Sequence, residues 1–543
     1  MTAIEQRDGH TASPGARYWH RSLHDYAAMT AGAPGGREGG PGEPARFTRF
    51  GALPRYPLPA PVGELAPLPV TAPDAAFHSA LLHYSCGVLR TEFGPTARWP
   101  YHRATPSARC FAPVETYLWT PGHEGLPAGV YAYDPAHHAL VPVRSGDHQA
   151  VLSGALGADL DDAVGALLLS TVFWRTAFRY GDYAYRLCAQ ETGLVAGNVM
   201  MVADALGTQA HLHHQFLDGT LERLVGATRP QESMAAVLPL YPRRDTGHRP
   251  VLQSGAAYTE KALSALLKPA VGRPASPSTG IGTLVELTGI DAAARLTDTA
   301  SFSRLPAGPA PARRTGDAEA RAVDLAHCLR QRTSGSPAFN PARRPVPLDG
   351  IRRVLGPLFD PWPSDAVPDG AAPPVTAHLW AVNVSGLADG VHWVAPGGLH
   401  RLGSAAPLLA RDIGMEAANV NYRAVAAVVF LSAPRAVAQE VFGDRAFRVL
   451  HHEAGAVAQR LCVRSAAEGL AARIHNGYAA RTLSGVLELP PGHEPLFQIA
   501  LGVPGPDERY LMPVSRLSTT AQRPGHPGGP TSAAPARNEV QIA

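Results

Sequence analysis

The 543-residue chain has almost no lysine: only Lys261 and Lys268 occur, so arginine carries nearly all of its positive charge. Any phosphate it binds must then be held by arginine forks or backbone amides. There is no charge excess either, with 48 Lys+Arg against 45 Asp+Glu for a net charge of +3. Such a balance supplies no basic stripe for nucleic acid or an anionic membrane. No apolar run nears the ~20 residues that cross a bilayer, and Ala424–Leu431 has the length of a buried strand or helix. Met1–His20 is polar and lacks a hydrophobic signal-peptide core, so a cytoplasmic location is expected. The five cysteines (Cys86, Cys110, Cys188, Cys328, Cys462) are scattered, odd in number and without CxxC spacing. They argue against a disulfide framework and a structural zinc site, and no metal is expected.

With 45% hydrophobic and 17% charged residues, the chain can bury a core. Glycine (54) and proline (52) make up nearly a fifth of it, against an ordinary ~12%. Both are concentrated: Ala31–Pro44 and Arg523–Arg537 are low-complexity stretches, so 1–46 and 518–543 are expected to be flexible. Residues 304–318 read as an interdomain linker between 47–303 and 319–517.

Those two halves are related. Tyr180–Phe216 aligns without gaps on Phe442–Tyr478 at a shift of 262. Gly181/Gly443, Asp182/Asp444, Arg186/Arg448, Glu191/Glu453, Gly193/Gly455, Gly207/Gly469 and His213/His475 coincide, among others. Upstream, Gly125–Val130 matches Gly386–Val391 at a shift of 261. The pattern is a tandem duplication rather than a short-period solenoid.

Each repeat has the same coarse order. A strand (Val114–Trp119; Ala377–Val384) leads through a Gly-rich turn to a second strand (Gly129–Tyr133; Gly390–Val394). A long helix follows, Tyr183–Leu206 or Ala446–Glu468, stopped by Gly207 or Gly469. Its small residues, Gly193 and Gly455 among them, permit close helix–helix approach. A last strand lies near Val237–Tyr241 or Leu496–Val503. The expected class is α+β, with helices against a mostly antiparallel sheet. Glu191 and Glu453, shared by both repeats, suggest helix packing or an ion pair. The run His211–His214 reads as loop or strand surface without metal-ligand spacing.

Several motifs, taken in order, resemble the SagB-type branch of the nitroreductase superfamily, which contains the FMN-dependent azoline dehydrogenases. They are Pro106-Ser107-Ala108 before a strand, Leu126–Pro135, and the long helix after Arg179-Tyr180-Gly181. Relatives of this type are usually homodimers with FMN at the subunit interface. The resemblance therefore implies two fused nitroreductase-like domains forming a pseudo-dimer, repeat one over 47–303 and repeat two over 319–517.

The resemblance also implies an asymmetric site. The family's phosphate motif resembles Arg330, Arg332 and Ser334 in repeat two, with no equivalent before repeat one. Pro106 and Ser107 of repeat one have only a weak counterpart at Pro363-Ser364. The family's loop beside the flavin matches His475, Asn476 and Gly477, where repeat one has Gln215. Arg516 matches the C-terminal phosphate residue. The family's Lys-Tyr pair aligns with Arg179 and Tyr180, whereas repeat two has Val441-Phe442. Lys to Arg is a departure, because a guanidinium cannot deprotonate. The implied activity is oxidation of azoline rings to azoles in a ribosomally synthesised peptide, with FMN as cofactor and Tyr180 as base. A thiopeptide-type antibiotic pathway is implied, with an azoline-containing precursor peptide, a cyclodehydratase and a leader-peptide-binding protein as partners. The alternatives are an NAD(P)H-dependent nitro or quinone reductase, and a flavin-free peptide-binding scaffold.

Overall fold

A computed structural model describes residues 12–33, 43–243, 257–306, 323–408, 419–505 and 510–514, except 62, 68–72, 95–96, 98, 269, 271–279 and 396. Two antiparallel sheets with one shared six-strand topology form its frame. In the first half, β1 (Tyr56–Pro57), β2 (Val114–Thr120), β3 (Gly129–Asp134), β4 (Ala139–Ser145), β5 (Gly165–Val172), β6 (Thr208–Ala210) and β7 (Glu232–Pro242) are ordered β1-β4-β3-β2-β5-β7-β6. In the second, β8 (Thr376–Ala381), β9 (Gly390–Ala395), β10 (Gly398–Gly403), β11 (Ala427–Ala433), β12 (Ala471–Ile474) and β13 (Glu494–Gly502) are ordered β10-β9-β8-β11-β13-β12. Strand for strand these orders are the same, with β1 added at one edge. The central strands β5 and β11 are buried along their whole length, as expected where both faces of a sheet are covered.

The short helices α3 (Trp174–Tyr180) and α7 (Arg435–Phe442) each end at a glycine of left-handed φ, Gly181 (53°) and Gly443 (57°). A 3-10 turn then opens each long helix, α4 (Ala184–Ala205) and α8 (Ala446–Ala467), both of 22 residues. Tyr180 thus closes a short helix instead of starting the long one, because Gly181 turns the chain between them.

Helices α4 and α8 cross at the centre, backbone against backbone. A Cβ on Gly193 would stand 2.4 Å from the His452 carbonyl oxygen, and one on Gly455 would stand 2.7 Å from Gly193 Cα. Both helices are buried on nearly every face, so their polar side chains need internal partners. Asn198 donates to the Tyr84 and Ser85 carbonyls, and Gln459 donates to Asn198. One hydrophobic cluster runs through both helices and the inner faces of both sheets.

The N-terminal segment departs from the flexibility expected of 1–46. Residues 14–31 form α1 (Pro14–His24) and α2 (Tyr26–Ala31), with Tyr18, Trp19 and Met29 in the core. The Tyr18 hydroxyl donates to the Asp182 carbonyl and accepts from the Arg186 amide, while the Trp19 ring meets Phe447 edge-on. Low complexity begins only after α2, and residues 34–42 lie outside the described residues. So do most of the expected linker and the tail from 515. A further helix, α5 (Val285–Ala293), packs on α1. Among the described residues no helix is long and apolar enough to cross a membrane.

The glycine crossing gives a direct expectation. Gly193→Val should lower stability by at least about 1–3 kcal/mol, the cost of forcing volume into a filled core. Gly289→Ala, which meets nothing within 4 Å in α5, should be neutral or mildly stabilising. Urea unfolding of the two variants against wild type measures both.

Candidate active site

Between the halves lies a cavity of about 1460 Å³. Its lining includes seven arginines but only two carboxylates, Asp25 and Glu191. Such a field favours an anionic ligand. Both halves contribute: Pro106, Ser107, Arg179 and Tyr180 come from the first, and Arg332, Ser334 and His475–Gly477 from the second.

Arg332 occupies the C-cap of α6 (Leu325–Gln331), where the chain leaves the helix and runs beside β12. Its guanidinium is only 5% exposed, and burial lowers its pKa. One Nη donates to the Ser334 hydroxyl at 3.0 Å and the other to the Arg103 carbonyl at 3.3 Å, while Nε has no partner. Among the described residues no carboxylate pairs with it. A buried guanidinium without a counter-charge is costly, so this part of the cavity is built for an anion brought by a ligand. Arg473, which the sequence reading missed, braces the same wall by donating to the Ser334 and Pro337 carbonyls.

Arg330 is a correction. Its guanidinium points away and bonds the Gly63 carbonyl and the Tyr84 hydroxyl, lying 5.2 Å from the Tyr84 ring centre. Two residues along a helix end turn a side chain about 200°, so Arg330 and Arg332 cannot face one ligand. Arg516 lies outside the described residues.

The Pro106-Ser107 loop is strained. Arg109, Cys110 and Ala112 all have left-handed φ, at 50°, 51° and 48°. Such clusters persist where surrounding contacts over-determine the backbone. Here the Ser107 hydroxyl does so, accepting the Ala112 amide at 2.9 Å and bonding Glu191 on α4. Burial pushes the Glu191 carboxyl up to about 7, against the pull of Ser107, Arg103 and Arg175. Glu191 is thus a cavity residue that the sequence reading assigned to packing. Its recurrence in both repeats was the available signal. Ser364, the weak counterpart, bonds Glu453 at 2.6 Å in the same way.

Also lining the cavity, Asn476 and Gln190 form a reciprocal amide pair at 2.7 and 3.1 Å, tying repeat two's loop to repeat one's helix. The His475 ring accepts the Gly477 amide at 3.2 Å, and burial followed by Arg473 lowers its pKa to about 4. His475 is therefore neutral at physiological pH.

The equivalent place in the other direction is filled. His214 Nε2 lies 2.8 Å from Glu453, both fully buried, and its Nδ1 is 3.2 Å from that of His452. Asp218 accepts from Arg445 and Arg448 at 2.7 Å each, and both guanidinium groups lie over the Phe216 ring. His211, His213 and His214 are all buried, contrary to the surface reading. The polar loop was misjudged because its partners come from the other half.

No family model matches the chain. A solved structure of a putative nitroreductase from Anabaena variabilis superimposes with a TM-score of 0.66 over 91% of this chain and all of that one, at 22% identity. In sequence, a putative nitroreductase of Methanocaldococcus jannaschii is 28% identical over 125 residues, 23% of this chain and 63% of that protein. The microcin B17-processing protein McbC of Escherichia coli is 30% identical over 131 residues, 23% of this chain and 46% of that protein. The matches thus span about half to under two thirds of these relatives. The fold is that of a nitroreductase, built twice in one chain. Within that class the sequence resembles the SagB-type azoline dehydrogenases of the nitroreductase superfamily.

The raised Glu191 pKa predicts a pH signature. Folding binds a proton between an unfolded value near 4.5 and a folded value near 7. This carboxyl's contribution is therefore complete below about 4.5 and is lost as pH rises through about 7. Glu191→Gln should flatten that decline, so its stability relative to wild type should improve from pH 4.5 to pH 8. Thermal melts across this range measure the difference.

Proposed function

We propose that the chain is an FMN-dependent dehydrogenase that oxidises azoline rings to azoles in a ribosomally synthesised peptide. The observation that carries this reading is a cavity at the junction of two nitroreductase-fold halves. Its lining includes a buried guanidinium without a carboxylate partner among the described residues, Arg332, together with Arg179 and Tyr180. The likeness to a protein named for microcin B17 processing supports a peptide substrate.

Arg332 and Ser334 would hold the FMN phosphate, which needs a guanidinium fork plus a hydroxyl. His475, Asn476 and Gly477 would line one edge of the ring system, and Pro106 and Ser107 the wall opposite. Bound there, FMN supplies a two-electron acceptor for the hydride lost from the azoline Cβ. Tyr180 Oη would take the Cα proton. A tyrosine needs help to act as a base because its ordinary pKa is near 10, and a cation reaching its hydroxyl, such as Arg179, would favour the phenolate. The precursor peptide would be delivered with a cyclodehydratase and a leader-peptide-binding protein, as in thiopeptide-type pathways.

The filled counterpart site supports one FMN per chain. Released flavin measured against protein should give a ratio near one, and a reproducible ratio of two would refute the single-site reading. Arg332→Ala should weaken FMN retention by roughly 2–4 kcal/mol, because the lost contact is charge-assisted and desolvated. Equilibrium dialysis reads that loss directly.

Tyr180→Phe should leave the protein folded and flavin-loaded, since Phe442 occupies the equivalent position in repeat two. Its azoline oxidation should fall by ~10²–10⁴, the usual contribution of a positioned acid–base group. Single-turnover bleaching of the flavin by an azoline peptide is the measurement, and equal rates would remove Tyr180 as the base. Bleaching by NAD(P)H without any peptide would instead favour the reductase reading.

A further inference from the structure

The cavity is larger than one ligand needs. Pockets for a single small molecule usually enclose about 300–1,000 Å³, against about 1460 Å³ here. Two parts of its lining differ in chemistry. One holds Arg332 and Ser334. The other is the α2 side, where Tyr26, Ala27 and Ala28 line the cavity together with Tyr180 and Tyr183. Arg179 is half-buried there and His24, Asp25 and Arg481 are exposed, so none of them is a buried guanidinium of the Arg332 kind.

Helix α2 belongs to neither sheet, yet it is seated closely. A Cβ on Gly181 would stand 2.6 Å from the Met29 carbonyl oxygen, so only glycine there admits the end of α2. At the equivalent Gly443 nothing lies within 4 Å. The Tyr26 ring meets Tyr183 edge-on at 4.7 Å. Upstream, α1 is pinned by Asp444, which accepts the Ser13 hydroxyl at 2.5 Å and the Gly15 amide at 2.8 Å.

The duplication supplies an internal comparison. Asp182, the equivalent of Asp444, accepts the Leu287 amide at 2.8 Å and so pins α5 in the matching position. The chain after α5 closes its site: Leu296 donates to Asp218, Ala294 accepts from Arg445, and Ser303 exchanges two bonds with Gln215. The chain after α1 instead forms α2, and among the described residues this side keeps the cavity. Two helices held by equivalent aspartates therefore lead to a plug on one side and a wall on the other.

We propose that the α2 side of the cavity is a substrate subsite taking an extended peptide segment with a flat five-membered ring, its width set by Ala27 and Ala28. This rests on the azoline dehydrogenase reading. The ring lies between the small α2 side chains and Tyr180, which brings its Cα–H toward the Tyr180 hydroxyl. Ala27 and Ala28 are exposed, so larger residues there enter the cavity without displacing core.

The test uses Ala27→Trp and Ala28→Trp in the flavin-loaded full chain, with a fluorescently labelled synthetic thiazoline peptide as probe. Each variant should retain wild-type flavin content and visible absorbance but bind the peptide at least tenfold more weakly by anisotropy. Gly289→Ala, in α5 and outside the cavity lining, should bind as wild type does. Wild-type affinity in both tryptophan variants would overturn the subsite while leaving the dehydrogenase reading intact. Loss of flavin from a folded tryptophan variant would also overturn it, because that side would then hold cofactor. A wild-type protein that neither binds the peptide nor is bleached by it would remove the azoline reading, and this occupant with it. Two independent exposed positions keep the test decisive if one variant fails to fold.

Discussion

The backbone contact between α4 and α8 at Gly193 and Gly455 sets the rest of the structure. With no Cβ on either side, the two helices meet main chain to main chain, and their register is fixed by what each glycine faces. One turn or less from that crossing stand Gln190 and Glu191 on α4, and His452 and Glu453 on α8. Each pair is thereby carried to the loop after the opposite half's long helix. Gln190 reaches Asn476, and His452 reaches His214. The cavity and its filled counterpart are both products of that single crossing.

From this shared geometry the two sides diverge through a few substitutions. Asn476 turns to an amide partner, and Glu191 bonds Ser107. At the equivalent place His214 closes on Glu453 and removes that carboxyl from any ligand. Ala480 stands where Asp218 does, so the first side has no acid to gather Arg186 as Asp218 gathers Arg448. Arg186 bonds the Tyr478 hydroxyl instead. A buried ion-pair network fills space and pairs its charges with Asp218, whereas on the open side the buried Arg332 guanidinium has no carboxylate partner among the described residues. The asymmetry is thus electrostatic as much as steric.

Much of this was legible in the residues. The 262-residue shift predicted two equal long helices and their stop glycines, because helix length and C-terminal punctuation are local properties. Strand positions followed from alternating and apolar runs, within a residue or two for most. The pairing of halves across a duplicated interface followed from the complementary loss of motifs, Arg332 being present only in repeat two and Tyr180 only in repeat one. Arg330 failed because an RxR pair reads as one patch in sequence but splits onto two faces at a helix end. The N-terminal segment failed because composition averaged Tyr18 and Trp19 with the glycines that follow α2.

The sequence by itself determined the duplication and the α+β class. Each of those depends on residue type and spacing along one chain. Only the tertiary structure decided which carboxyl faces a cavity, which arginine is left without a counter-charge, and which helix walls the open side. Glu191 and Glu453 are identical letters in matching contexts, and so are Asp182 and Asp444. Their roles part because burial and partners are set by residues hundreds of positions away, and a local pattern carries no record of those neighbours.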